Sequence, residues 1–338
     1  MANVLTVGII GAGRIGKVHA ATLAYRIPEA RLVAVADVDL GAAQALAARL
    51  NIPRATGDIH AILDDPAIEA VLICSSTDTH ARLAKAAAEA GKHIFCEKPI
   101  ALSLAEIDDV LASVARAGVK MQVGFNRRFD ANYRRVRHAI ETGEIGQPAI
   151  LHIISRDPAP PPVSYVKASG GMFLDMTIHD FDMARYLIGA EVEEVYTLAA
   201  VTVDPAIGAA GDVDTAVIVL KFANGVIGTI DNCRRATYGY DQRVELFGSK
   251  GAISTTNNYP NAATISDAAS VRSDLPLNFF MDRYTESFAA EIAAFVDAVR
   301  HDRPVPVTGL DGRMPVAMGL AASASHRERR PVKLSEIG

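Results

Sequence analysis

Residues 4–16 read "VLTVGIIGAGRIG", an aliphatic run that breaks into three glycines spaced G-x-G-x-x-G. A short apolar run bounded by glycine suits a strand buried on both faces. Residues 14–25 then have the composition of a helix, so the glycines fall at a strand-to-helix turn. In that setting Gly11 permits the tight turn, Gly13 lets backbone approach a pyrophosphate, and Gly16 lets helix pack closely on strand. Arg14 and Ile15 lie in the same loop, at the helix N-terminus where an anion is favoured, and are expected to join Gly11, Gly13 and Gly16 in holding a dinucleotide.

The same rhythm continues outward from this loop. "RLVAVAD", "AVLICSS", "HIFCEK" and "VKMQVGF" read as further buried strands, separated by helical stretches near 14–25, 40–50, 79–91 and 103–117. Alternation of this kind predicts an α/β doubly wound parallel sheet over residues 1–124. Asp37 ends the second strand, 21 residues beyond Gly16, where its carboxylate can accept hydrogen bonds from adenine-ribose hydroxyls and repel a 2′-phosphate. No arginine adjoins it at Val38-Asp39, so the sequence favours NAD over NADP. Ser75, Ser76, Thr77 and His80 follow "AVLIC", at the carboxyl edge where cofactors lie; capping of the loop is the alternative role for them.

Beyond residue 125 the pattern changes. A basic helix is expected over "NRRFDANYRRVRHAIE", then a strand "PAILHIISRD" and the stiff "DPAPPPVSY", a border for an active site. "EVEEVYTLAAVTV", "DTAVIVLKF", "GVIGTIDNCR", "QRVELFG" and "GAISTT" are strands joined by short turns, "ANG" at 223–225 among them. This predicts an α+β domain over 125–338 with a large, mostly antiparallel open sheet. Residues 257–280 show no period and read as a loop, and helices near 285–301 and 310–326 close the chain, the last able to pack back on the first domain.

Between the proline run and that sheet, residues 170–187, "GGMFLDMTIHDFDMARYL", read as one amphipathic helix. Met172, Asp175, His179, Asp182 and Tyr186 share about 80° of its circumference, while Phe173, Leu174, Thr177, Ile178, Phe181 and Ala184 form the opposite, core-facing stripe. Ser169 is a candidate N-cap and Gly189 a candidate C-terminal glycine. Asp175 and His179 stand at i,i+4, where a carboxylate can hold one imidazole nitrogen and leave the other as a base. A solvated surface is the competing account, and Asp180, inside the apolar stripe, has no explanation at this level. A third account makes Asp175, His179 and Asp182 metal ligands.

Composition narrows the function classes. The 34 Lys and Arg against 39 Asp and Glu give a net charge of −5, which argues against a nucleic-acid or polybasic membrane surface. No apolar run spans a bilayer and the N-terminus lacks signal-peptide form, so a cytoplasmic protein is expected. Cys74, Cys96 and Cys233 have no metal or disulfide spacing and read as core thiols.

"FCEKPIAL" puts Glu97, Lys98 and Pro99 at the end of another strand of the parallel sheet, and a lysine there can stabilise developing alkoxide charge. The glycine fingerprint, this "EKP", "GFNRRFD" and the Asp-x3-His segment together resemble the Gfo/Idh/MocA oxidoreductase family, over essentially the whole chain. The resemblance implies a Rossmann NAD domain, a second domain whose open sheet makes dimers or tetramers, a cis Lys98–Pro99 bond, and NAD with no metal. It also implies oxidation of a cyclic polyol, myo-inositol to its 2-keto product, with Lys98, Asp175 and His179 catalytic. Glu97 and Lys98 are expected to contact cofactor as well, and Lys98, Arg127, Asp157, Asp175, His179, Asp182 and Tyr240 to contact substrate. Where some members carry histidine before an Arg-Asx-Pro segment, this chain has Ser155. An aldose dehydrogenase of the same family and a non-catalytic NAD-bound sugar sensor are the alternatives.

Overall fold

The computed structural model describes residues 4–338. The chain forms two compact units: residues up to 129 together with 286–316, and residues 130–285 together with 317–338.

The first unit contains β1 (Leu5–Ile10), β2 (Ala30–Ala36), β3 (Arg54–Thr56), β4 (Ala70–Ile73), β5 (His93–Glu97) and β6 (Met121–Gly124). They form one parallel sheet in the order β3-β2-β1-β4-β5-β6, so the order reverses beside β1. A short third strand, too brief to show a pattern, joins the five legible in sequence. Helices Arg14–Arg26, Leu40–Leu50, Thr77–Glu89 and Leu104–Ala117 alternate with the strands. Leu40–Leu50 is bounded by its own chemistry: Asp39 accepts from the Ala42 N–H at its start, and Asn51 takes a left-handed conformation at its end.

The core of this unit joins Val7, Ile9, Leu23, Leu32, Val35, Leu46 and Phe95 to Ile292, Phe295 and Val296. The last three, with Val299, repeat at helical spacing along helix Thr285–Arg300 and bury its apolar stripe here. Truncating a core phenylalanine such as Phe295 costs about 3–5 kcal/mol, which gives the scale of this helix's contribution to the first unit. The division therefore lies at 129/130 and the first unit takes in 286–316 as well, where the sequence places the boundary at 124/125 with the last helix able to pack back.

The second unit is built on β7 (Pro148–Arg156), β8 (Val192–Ala200), β9 (Thr215–Phe222), β10 (Ile227–Cys233), β11 (Asp241–Gly248) and β12 (Gly251–Ser254), with β15 (Val332–Lys333) at one edge. The order is β12-β11-β7-β10-β9-β8-β15; only β7 and β10 run parallel. β9 alternates buried and exposed residues along its length, as a sheet with one covered face requires. Its buried side, with Leu151, Ile153, Ile230 and Leu246, meets helix Ile178–Ile188. The basic helix starts at Ala131, because Asp130 accepts from the Asn132 and Tyr133 N–H groups and caps it; Asn126–Phe129 is a separate 3-10 turn. Residues 257–280 are not all loop: β13 (Thr264–Ser266) and β14 (Val271–Ser273) form an exposed hairpin. Three-residue strands of this kind carry no readable period. Among the described residues, no helix is long and apolar enough to cross a membrane.

Candidate active site

In a parallel sheet all strands end at one edge, so the residues after β1, β2, β4 and β5 share it. Gly11 has φ +108°, and a Cβ there would come within 2.5 Å of the Cys74 backbone. Gly16 is equally constrained, by the Gly11 carbonyl 2.0 Å from where its Cβ would be. Gly13 has nothing within 4 Å of that position, and helix Arg14–Arg26 begins at it without a side-chain cap. An open backbone approach to an uncapped helix N-terminus fits a dinucleotide pyrophosphate. Asp37 is tied to this loop: Oδ2 accepts from the Ala12 N–H at 2.6 Å and Oδ1 from the Asp39 N–H at 2.8 Å. A carboxylate offers about four lone-pair positions, which leaves capacity for ribose hydroxyls.

After β4, the Ser75 and Thr79 hydroxyls lie 2.6 Å apart, Ser76 precedes helix Thr77–Glu89, and Thr77 opens it. His80 is buried between two carbonyls, Nδ1 2.8 Å from Pro99 O and Nε2 3.1 Å from Ser75 O. It ties the two loops together. Lys98 is half-buried and its bond to Pro99 is cis. The Glu97 carboxylate turns to His19, with Nε2 to Oε1 2.6 Å. Arg127 is buried in the 3-10 turn. Burial pushes the Cys74 and Cys96 thiols up, so both are protonated core groups.

In the second unit, residues 170–187 are not one amphipathic helix. Gly171–Asp175 and Ile178–Ile188 are separate helices, and the Thr177 N–H reaches back five residues to the Met172 carbonyl where they meet. Gly170 and Gly171 enter with positive φ, and Gly189 closes with φ 68° as expected. Nor is there a solvated face: Met172, Asp182 and Met183 are as buried as Phe181 and Ala184, while Asp175, His179 and Tyr186 are half-buried. The helix lies against β7 and helix Ala131–Glu141, so its polar residues must find partners inside. Asp180 does so: its carboxylate accepts from Asn232 Nδ2 at 2.9 Å, while Asn232 Oδ1 accepts from the Thr177 hydroxyl at 2.6 Å. The sequence could not show this, because Asn232 is 52 residues away on β10.

Asp175 accepts from the Tyr165 hydroxyl at 2.9 Å and lies 3.5 Å from Arg234 Nη1. Arg234 is 1% exposed and also lies 3.8 Å from Asp212, whose carboxylate accepts from the Met172 N–H. Tyr165, Asp212 and Arg234 were missed in sequence; the twin arginine after β10 was the one visible signal. His19 and Glu291 were missed as well. Of the remaining expected residues, Tyr240 is buried edge-on to Tyr284 and Asp157 bonds through its backbone to Cys233 and Ala236. Ser155 is fully buried on β7, and its carbonyl accepts from Asn232, so it is a core residue.

Known proteins share this fold. Residues 5–125 match the profile of the oxidoreductase family with an NAD-binding Rossmann fold, and residues 133–254 that of the GFO/IDH/MocA C-terminal domain. The chain is 48% identical over 333 residues to a myo-inositol 2-dehydrogenase of Thermotoga maritima, covering 98% of this chain and 99% of that one. An inositol 2-dehydrogenase of Rhizobium meliloti is 47% identical, with 97% of this chain and 98% of that one covered. Among solved structures, scyllo-inositol dehydrogenase from Lactobacillus casei with bound NAD(H) and scyllo-inositol superposes with TM-score 0.92 at 29% identity, over 98% and 99% of the two chains. The chain belongs to the Gfo/Idh/MocA oxidoreductase family.

Proposed function

We propose that the protein is an NAD-dependent dehydrogenase that oxidises a ring CH–OH of an inositol, myo-inositol to its 2-keto product. The observation that carries this reading is the near-full-length likeness to relatives named as inositol dehydrogenases. Gly11, Gly13, Arg14, Ile15 and Gly16 hold the pyrophosphate, Asp37 the adenine ribose, and Ser75, Ser76 and Thr77 line the same edge. NAD, when bound, takes the carbinol hydride at nicotinamide C4. His179 removes the hydroxyl proton, Asp175 stabilises the imidazolium that results, and Lys98 donates to the oxygen as its charge develops. Arg127, Asp157, Asp182 and Tyr240 supply hydrogen bonds that discriminate among ring hydroxyls.

The test is NADH formation by purified protein over myo-inositol, scyllo-inositol, glucose and galactose. Turnover of myo-inositol with the highest kcat/KM supports the reading; an aldose preferred over every inositol, or no turnover of any, overturns it. scyllo-Inositol is the second reading, favoured by 38% identity to an NAD-dependent scyllo-inositol 2-dehydrogenase of Bacillus subtilis.

We place this activity in the cytoplasm, in inositol catabolism, and in a homo-oligomer, a dimer or a homotetramer. Ile150, Leu198, Val217, Ile227 and Phe247 are each half exposed on one face of the seven-stranded sheet, where Ile150 pairs with both Ile227 and Phe247. An apolar face of this kind suits a second copy of the chain. A monomer by light scattering at micromolar concentration rejects that assembly.

A further inference from the structure

Three buried groups of the first unit converge at the carboxyl end of β5. His19 comes from helix Arg14–Arg26, Glu97 ends β5, and Glu291 comes from helix Thr285–Arg300. One nitrogen or carboxylate oxygen from each lies within 4.8 Å of the other two. His19 and Glu291 are fully buried and Glu97 is 9% exposed. Phe95 and Phe288 wall the imidazole, with ring centroids 5.2 Å and 5.8 Å away. Cys74 and Cys96 are titratable neighbours of the cluster, and Gln122 donates to the Glu291 backbone carbonyl. Among the described residues, neither Glu291 oxygen has a hydrogen-bond partner, nor has His19 Nδ1.

Two carboxylates at this spacing in a dry interior cannot both ionise. Burial, and then the neighbouring Glu97, push Glu291 well above the usual carboxylate range. Both causes act in the same direction and favour the neutral, protonated form of Glu291.

The next residue after Glu97 is Lys98. On one flank of the lysine the Glu97 side chain is fixed by His19, and on the other the Pro99 carbonyl is fixed by His80. We propose that His19, Glu97 and Glu291 form a buried cluster whose function is to position Lys98. The proposal rests on the reading of Lys98 as the group that meets the reacting oxygen. In this reading the three act through Lys98 and are positioning residues.

The sign of the pH effect follows from linkage. Glu291 has an ordinary value of 4.5 and a folded value above it, so between the two the folded state binds more protons. Its contribution to stability is full below about pH 4.5 and is lost as pH rises through the folded value. Glu291→Gln, a neutral amide in place of a neutral acid, escapes that loss. The full-length Glu291→Gln protein should melt higher than wild type near about pH 8, with the gap closing toward about pH 5. Glu97→Gln should lower kcat by at least about tenfold while NAD Kd stays within about threefold. Four results overturn the proposal: a Glu291→Gln protein that melts lower than wild type at every pH, a stoichiometric divalent cation in purified protein, wild-type kcat in Glu97→Gln, or a parallel loss of NAD affinity. Lys98→Met separates the two readings. Activity retained in Lys98→Met removes the lysine reading and the positioning with it; activity lost in Lys98→Met but kept in Glu97→Gln removes the positioning alone.

Discussion

The glycine-loop edge of the first unit and the Asp175 region of the second each hold a carboxylate in a fixed place, by opposite means. Asp37 is held by backbone amides of Ala12 and Asp39, and His80 lies between two backbone carbonyls. Asp175 is held by side chains, Tyr165 and Arg234, and Arg234 is shared with Asp212. Backbone partners are set once the strand and turn form. Side-chain partners come from separate segments, each of which can fail alone. Substitutions should therefore act locally at the first site and spread at the second.

The largest effect is expected at His179. His179→Ala should reduce kcat by roughly 10²–10⁴, the span of a general base, with the melting temperature nearly unchanged. Asp175→Asn should also be damaging, and the double variant little worse than His179→Ala, because residues acting as a unit are not additive. Single variants within a few-fold of wild type would remove the proton-transfer role. Next comes Arg234, which is buried between Asp175 and Asp212. Arg234→Met leaves two carboxylates facing each other without their cation, a change that costs about 3–5 kcal/mol when a buried pair loses one partner. Both kcat and melting temperature should fall. A stable Arg234→Met protein with wild-type kcat would show that the side-chain set is dispensable and end the contrast.

Asp37 offers the opposite test. The wild-type protein should prefer NAD over NADP by at least about tenfold in kcat/KM, on the order of 1.4 kcal/mol. Asp37→Ala should narrow that preference while leaving turnover chemistry intact, since the loop keeps its glycines and its strand-to-helix turn. Equal use of NADP by wild type would sink the assignment of Asp37 to the ribose.

What could be read in the sequence divides along the same line. The doubly wound parallel sheet and the strand-to-helix glycine turn were legible because each depends on near neighbours in the chain and on the period of buried strands. The single helix over residues 170–187 was not, because apolar spacing alone cannot show the break at Met176–Thr177. Asp180 looked anomalous for a related reason: Asn232, its partner, is on β10. The Asp175 set needs Tyr165, Asp212 and Arg234 brought together by the second unit's fold. His19, Glu97 and Glu291 span most of the chain. Residue type and spacing show what near neighbours in the chain define; they do not locate partners supplied by distant elements.

The smallest expected effect sharpens the contrast within the second unit. Tyr165 is half exposed, and its hydroxyl donates to Asp175 Oδ1, whereas Arg234 approaches Oδ2 from a fully buried position. A hydrogen bond open to water contributes little net free energy, because water replaces the lost donor; about 0.5–1.5 kcal/mol is the usual range. Tyr165→Phe removes the hydroxyl and keeps the ring, so kcat should fall by no more than about tenfold, the equivalent of about 1.4 kcal/mol. The melting temperature should stay near that of wild type. If Asp175 is oriented by both partners, the double variant with Arg234→Met should depart from additivity, since residues sharing one acceptor couple by about 0.5–3 kcal/mol. Strict additivity in kcat would mean that Tyr165 and Arg234 act on different things. Asp175 would then be held by the buried arginine alone, and its exposed tyrosine would be a surface contact.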